Sequence, residues 1–223
     1  MTATAGAPSA EPVKHEPVRL ITLSREYGAG GSELGMLLGE RLGWPVLDRD
    51  LARRTASRLR CRCEDVEALD EHAPTFLERI ASAFTVVPSD APILPEPLDL
   101  PDCDALARAT RAVLLEAART PPLIVIGHGA TCLFHGRRDV LHVRVTAPFE
   151  ARVRRVAART GAGLPEAAAD VRRRDADRRH YLARYYDSDA NDCTLYDVQF
   201  NTATISLDTA ARLVTSLVHA ETS

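Results

Sequence analysis

The segment Ser24-Arg25-Glu26-Tyr27-Gly28-Ala29-Gly30-Gly31-Ser32 joins a β-branched, apolar run to one with helical spacing. A strand, a glycine-rich turn and a helix make a cradle for phosphate. The glycines let several backbone N–H groups converge, and the helix N-terminus adds partial positive charge. Gly28, Ala29, Gly30, Gly31 and Ser32 are therefore the candidate phosphate-binding residues, and the Ser32 hydroxyl is the candidate ligand for Mg²⁺. The run departs from G-x-x-x-x-G-K-[ST]. Arg25 stands at the first glycine and Gly31 at the lysine, while Gly30 and Ser32 are in place. The charge that lysine supplies must then come from Arg25 or from an arginine elsewhere. A guanidinium suits phosphate because its planar fork donates two parallel hydrogen bonds. The bland alternative is a tight strand-to-helix turn with no ligand.

A second concentration of charge lies at 171–186. Arg174 and Arg178 are four apart and share a helical face that Tyr181 and Tyr185 continue; Arg172, Asp175 and Arg179 share a second side. Basic residues interleaved with aromatics also fit nucleic-acid binding. A net charge of −3 and the lack of a recognition motif weigh against that reading. The structural alternative is an exposed helix laced with Arg–Asp pairs.

The elements that must hold these residues follow from periodicity. Residues 18–24 read as a strand, 32–42 as a helix ended by Gly43, and 44–47 as a short strand followed by Asp48. Helical patterns follow over about 49–60, 65–72 and 75–84. Five prolines between Pro88 and Pro101 make 85–103 a loop or flap. A helix over 104–119, a strand at 123–126, a strand at 140–145, a helix from Pro148, a long helix over 164–186, a strand at 197–201 and a last helix capped by Ser206 complete the chain. A break in the long helix is left open. Strands alternating with helices predict an α/β fold with a parallel sheet of about five strands, whose ligands bind at the strands' carboxyl ends.

Composition narrows the class. The chain has 223 residues, 45% of them hydrophobic and 26% charged, enough apolar material for a core. No stretch approaches a membrane span. Lys14 is the only lysine among 28 basic residues. The five cysteines lack metal-site spacing, including Cys61-x-Cys63, and scattered thiols with no secretory N-terminal pattern predict a cytoplasmic protein. Residues 1–17 read as a disordered tail. No nucleophile-elbow context supports a hydrolase. His135 and His142 read as surface or packing residues.

The run Ile21-Thr22-Leu23-Ser24-Arg25-Glu26-Tyr27-Gly28-Ala29-Gly30-Gly31-Ser32-Glu33 resembles the opening of the cytidylate kinase-like family, a divergent branch of the P-loop nucleoside monophosphate kinases. The likeness continues at 42–49, 125–130 and 195–202, in order, and spans about residues 18–220. In that family the missing lysine is a shared trait. The resemblance implies a three-layer P-loop kinase fold over 18–223, with acceptor-binding insertions over 49–103 and a helical lid over 161–190. It implies ATP as phosphoryl donor, Mg²⁺, and a nucleoside monophosphate such as CMP as acceptor. Small-molecule nucleotides are then the expected partners, with no membrane partner and no oligomeric state implied.

By the same resemblance Arg25, Arg174, Asp175 and Arg178 are the candidate catalytic residues, the last three from the lid. Asp48 and Arg54 match acceptor-binding positions, and Asn201 and Thr202 match a loop that frames adenine. Gly127-His128-Gly129 stands where classical members carry Gly-Arg-Asp, so His128 becomes the acceptor-side candidate. Neutral imidazole cannot replace a bidentate guanidinium, which leaves cytidine specificity open. The rival readings are a nucleotide-binding regulator without turnover, a kinase of an unrelated small molecule, and an RNA-binding module.

Overall fold

The computed structural model describes residues 16–48 and 103–220. The expected tail before residue 16, the helices between 49 and 84, Arg54, Cys61, Cys63 and the proline-rich segment to 102 lie outside the described residues. The elements are β1 (Leu20–Arg25), α1 (Gly31–Leu42), β2 (Val46–Leu47), α2 (Cys103–Ala117), β3 (Leu123–Ile126), α3 (Ala130–Leu133), β4 (Val140–Thr146), α4 (Phe149–Thr160), α5 (Leu164–Tyr186), a 3₁₀ turn (Cys193–Leu195), β5 (Val198–Asn201) and α6 (Leu207–Ala220). Among the described residues no helix is long and apolar enough to cross a membrane.

Five strands form one parallel sheet in the order β2-β3-β1-β4-β5. β1 lies in the middle, pairing Leu20 with both Leu123 of β3 and Val140 of β4. Strand alternation sorts the side chains into two cores. Ile21, Leu23, Ile124, Ile126, Leu141, Val143 and Val145 pack with Leu34 and Leu38 of α1 and with Ala210, Ala211 and Val214 of α6. Leu20, Leu123, Val125 and Val140 pack on the other face with Leu114 and Ala117 of α2. Fully burying each such leucine or valine contributes about 1.5–3 kcal/mol. This is the three-layer arrangement expected from the alternation of elements. Gly35 lets α1 lie close on the sheet, because a Cβ there would overlap the Ile126 side chain. That approach sets where the α1 N-terminus points.

The polar residues of β4 face the second core and find partners there. His142 is 5% exposed and Arg144 7%. Arg144 binds the Ala190 carbonyl and donates to Asn191 Oδ1 at 3.1 Å, and it lies over the Tyr196 ring. It thereby folds the 187–197 segment over the sheet's carboxyl edge. His142 Nδ1 is 2.6 Å from Thr22 Oγ1, which is 3.2 Å from Thr131 Oγ1, while His142 Nε2 is buried without a hydrogen bond.

Burial pushes the His142 pKa below its usual 6.5; the Asp197 charge opposes this and His135 reinforces it. The imidazole is therefore neutral in the native protein but takes up a proton in the unfolded chain below pH 6.5. Its stabilising part is fully present above that pH and is lost as pH falls toward and through the lowered folded value. Melting temperatures measured between pH 7 and pH 5 are expected to fall, and to fall less steeply in His142→Gln. An equally steep fall in that variant would assign the effect to other groups.

α5 runs unbroken for 23 residues, with Pro165 in its first turn and Asp187 as its left-handed C-cap. It buries only Ala167 and Val171, against Val153 and Val156 of α4. Beyond that short seam it is held by polar contacts and by the rings of Tyr181, Tyr185 and Tyr186. An element with so little buried apolar area opens at lower free energy than the sheet.

Candidate active site

Much of the glycine loop is held from outside. Arg152, with its side chain 8% exposed, leans across from α4: Nε donates to Ala147 O at 2.9 Å and sits 3.3 Å from Glu26 Oε2. Its Nη1 donates to Tyr27 O at 3.2 Å and to Asp175 Oδ2 at 2.5 Å. The other Asp175 oxygen, Oδ1, accepts from Tyr27 N at 2.9 Å. Asp175 thus ties α5 to the loop backbone, and the cleft lining does not include it. Gly28 packs against Val156 and the Arg152 carbonyl, and Gly30 against Leu207 of α6.

Thr202 Oγ1 is 2.8 Å from Ala29 O and accepts from Arg155 Nη1 at 2.7 Å. Thr202 is buried, so its hydroxyl is engaged in holding the loop, while exposed Asn201 Oδ1 accepts from Ala203 N at 3.0 Å. Thr202→Val keeps the shape and strips these bonds, leaving Ala29 O short of a donor. Urea unfolding should show a loss of about 1–3 kcal/mol. A loss under a few tenths would mean that the tether carries no stability.

Gly30 is a left-handed N-cap at φ 88° with no side-chain cap bond to α1. The first N–H groups of the helix have no partner within it and remain available to an anion. Ser32 is exposed on this first turn. Among the described residues no three His, Cys, Asp or Glu side chains cluster as a metal cage. A single hydroxyl beside a phosphate cradle suits Mg²⁺, which keeps water and phosphate oxygens as most of its ligands. The donor set therefore fits a nucleotide-borne Mg²⁺.

Arg25 leaves β1 along Gly31 and reaches Gly127. A Cβ on Gly31 would come within 2.6 Å of Arg25 Cβ, and one on Gly127 would overlap the guanidinium. Glycines at these two positions make the corridor the arginine runs through, from the helix mouth to the end of β3. The carbonyl of Arg25 accepts from Arg178 Nη1 at 3.3 Å.

Ser24, Arg25, Gly127, His128, Gly129, Arg174, Arg178, Tyr181 and Tyr185 are brought together in one cleft of about 740 Å³. It lies at the carboxyl ends of β1 and β3, beneath α5. Arg173 and Arg184 add charge, and Asp177 is the carboxylate in the lining, so the cleft favours anions. Residues 127–129 are all left-handed, with φ of 83°, 59° and 70°. For His128 that conformation is strained by roughly 1 kcal/mol or more. It is held by Tyr186, whose hydroxyl donates to His128 O at 3.1 Å and whose ring lies where a Cβ on Gly129 would be. Burial raises the pKa of Tyr181 and Tyr186, which stay protonated donors. Burial also raises that of Cys132, which stays a thiol and is no nucleophile at neutral pH. Asp48 follows β2, half-buried, and the cleft lining does not include it.

Sequence reasoning missed Tyr27, Arg152, Arg155, Arg144 and Tyr196. Arg152 had a faint signal: it adjoins Val153 and Val156 on the buried stripe of an otherwise charged helix.

A parallel sheet in this order, a glycine turn leaving its middle strand, and an arginine helix over its carboxyl edge define an α/β kinase fold. The chain belongs to the cytidylate kinase-like family, whose sequence model matches residues 20–204. It is 31% identical over 114 residues to a cytidylate kinase of Pyrobaculum aerophilum, covering 51% of this chain and 59% of that one. To a cytidylate kinase of Desulfurococcus amylolyticus it is 33% identical over 105 residues, covering 47% and 56%. The matched stretch thus spans somewhat more than half of these relatives' own length. An uncharacterized protein from Eubacterium ventriosum shares the fold, with a TM-score of 0.65 at 16% identity over 90% of this chain and 98% of that one.

Proposed function

We propose that this chain is an ATP- and Mg²⁺-dependent kinase that transfers a phosphoryl group to a small anionic acceptor, a nucleoside monophosphate in the first instance. The observation that carries the reading is the run of guanidinium groups from the glycine loop into the cleft: Arg25 from one side, Arg174 and Arg178 from the other. Family membership and the cytidylate kinases among its relatives support the same chemistry.

Bound MgATP supplies the transferable phosphoryl group and a divalent cation that neutralises its oxygens. The protein's part is positioning and charge. The Gly28–Ser32 backbone receives the donor phosphates and Ser32 offers its hydroxyl to the cation. Arg25 stands between this loop and the Gly127–Gly129 turn, where it takes over the charge of the absent lysine. Arg174 and Arg178 face charge that spreads over the equatorial oxygens during transfer, which is where arginines lower the barrier most. Asp175 keeps α5 down on the loop, so these arginines are in place before the reaction. His128 lines the cleft at the acceptor end, where the lid arginines orient an anionic acceptor.

The test is turnover by purified protein with ATP, Mg²⁺ and a panel of nucleoside monophosphates, read as diphosphate product. CMP phosphorylation supports the reading. ATP binding with no product from any acceptor would convert it to a nucleotide-binding protein.

A further inference from the structure

Tyr27 stands one residue before the glycine turn, and its ring is surrounded by guanidinium groups from α4 and α5. The carbon centres of Arg159, Arg174 and Arg178 lie 5.4, 4.6 and 5.6 Å from the ring centroid. Arg159 also donates to the Tyr27 hydroxyl at 3.1 Å. The same residue is held through its backbone, with N bonded to Asp175 and O to Arg152. Tyr27 is thus the point at which α4, α5 and the phosphate loop meet.

We infer that Tyr27 is a positioning residue: its aromatic face is the platform that holds Arg174 and Arg178 over the phosphate loop before the nucleotide arrives. The inference rests on the kinase reading above and adds to it a residue that touches neither substrate. Three cations around one ring repel one another. Asp170 beside Arg174 and Asp175 beside Arg178 offset part of this, at 3.1 and 3.8 Å. The ring adds a further attraction, because its face is negative and within about 6 Å of each charge. The Arg174 and Arg178 side chains are 39% and 26% exposed and are held by polar bonds, Arg174 Nε to Asp170 and Arg178 Nη1 to the Arg25 carbonyl, to which the ring adds a second restraint. A flat partner restricts a planar guanidinium to stacked orientations, which keeps its N–H fork facing the cleft. A purely structural alternative exists, since Tyr27 also packs beside Val153, Val156, Ala167 and Val171.

An isosteric series separates platform from packing. Tyr27→Phe keeps the face and loses only the hydroxyl, so kcat with ATP, Mg²⁺ and CMP should stay within about threefold. Trifluorophenylalanine at position 27 keeps the shape but removes the negative face. Its kcat should fall about tenfold against the Phe variant, with Tm and the KM for ATP nearly unchanged. Equal kcat in the two variants, or a loss confined to KM, overturns the platform. If the wild type phosphorylates neither CMP nor another monophosphate, the kinase reading fails by itself. Amide exchange over residues 172–180 then decides the platform: faster exchange in the fluorinated variant than in Tyr27→Phe supports it, and equal exchange overturns it.

Discussion

Arg152→Met is expected to lower the unfolding free energy by about 3–5 kcal/mol, the cost of removing one partner from a buried ionic cluster. Methionine fills much of the space of the arginine stem, so the loss is electrostatic more than steric. It leaves Glu26 and Asp175 close together without the cation between them, and leaves the Tyr27 and Ala147 carbonyls without its N–H groups. Glu26 and Asp175 are 28% and 14% exposed, so some water reaches them and the lower end of the range applies. Arg178, 3.8 Å from Asp175, softens the effect further. In a chain of this size about 3 kcal/mol corresponds to a drop in Tm of roughly 6–12 °C. The cause is isolated by Asp175→Asn, which removes the charge but keeps an oxygen for Tyr27 N. Arg152→Met combined with Asp175→Asn should be less destabilised than the sum of the two, because each alone strands a charge that the other no longer meets. Additive losses, or a drop under 1 kcal/mol for Arg152→Met, would show that the cluster is solvated and carries little.

This cluster also marks where sequence ceases to be a guide. Apart from the four-residue α3, the described strands and helices were legible because their signals are local. Ile21 and Leu23 alternate, Leu34 and Leu38 recur one turn apart, Gly43 ends α1 with φ 67°, and Ser206 Oγ accepts from Thr209 N at 3.1 Å as an N-cap. The glycine loop was legible for the same reason, and the pairing of Arg174 with Arg178 follows from helical spacing alone. Partners at long range were not. Arg152 meets Asp175 across 23 residues and Tyr27 across 125, and Thr202 meets Ala29 across 173. In a charge-rich helix such as 149–160, nothing in residue type distinguishes the buried Arg152 from the exposed Arg154. By the family resemblance Asp175 is a catalytic candidate of the lid and Thr202 a candidate adenine contact. The structure gives their oxygens to the loop backbone, and only three-dimensional packing reveals that.

Arg25→Ala is expected to lower kcat/KM for ATP roughly 30- to 150-fold, equivalent to about 2–3 kcal/mol for a charge-assisted hydrogen bond to phosphate. The Arg25 carbonyl that accepts from Arg178 is kept, and so is the β1 pairing with Val145 of β4. What disappears is a stem lying along Gly31 and a guanidinium lying against Gly127. Alanine relieves those close approaches, so the folded state should survive with a Tm shift of only a few degrees. Arg25→Lys restores the charge without the planar fork, and a point ammonium binds one oxygen where the guanidinium binds two. Its kcat/KM should therefore fall between those of Arg25→Ala and the wild type. The split between parameters then locates the contact. A rise in KM alone means Arg25 grips the donor phosphates equally in ground and transition states. A fall in kcat means that its bonds strengthen as charge moves to the transferring group. If Arg25→Ala leaves both parameters at wild-type values, the lysine's charge comes instead from α5. Arg174 and Arg178 would then have to supply both the ground-state grip on the phosphates and the stabilisation of the transferring group, so substituting either should raise KM as well as lower kcat.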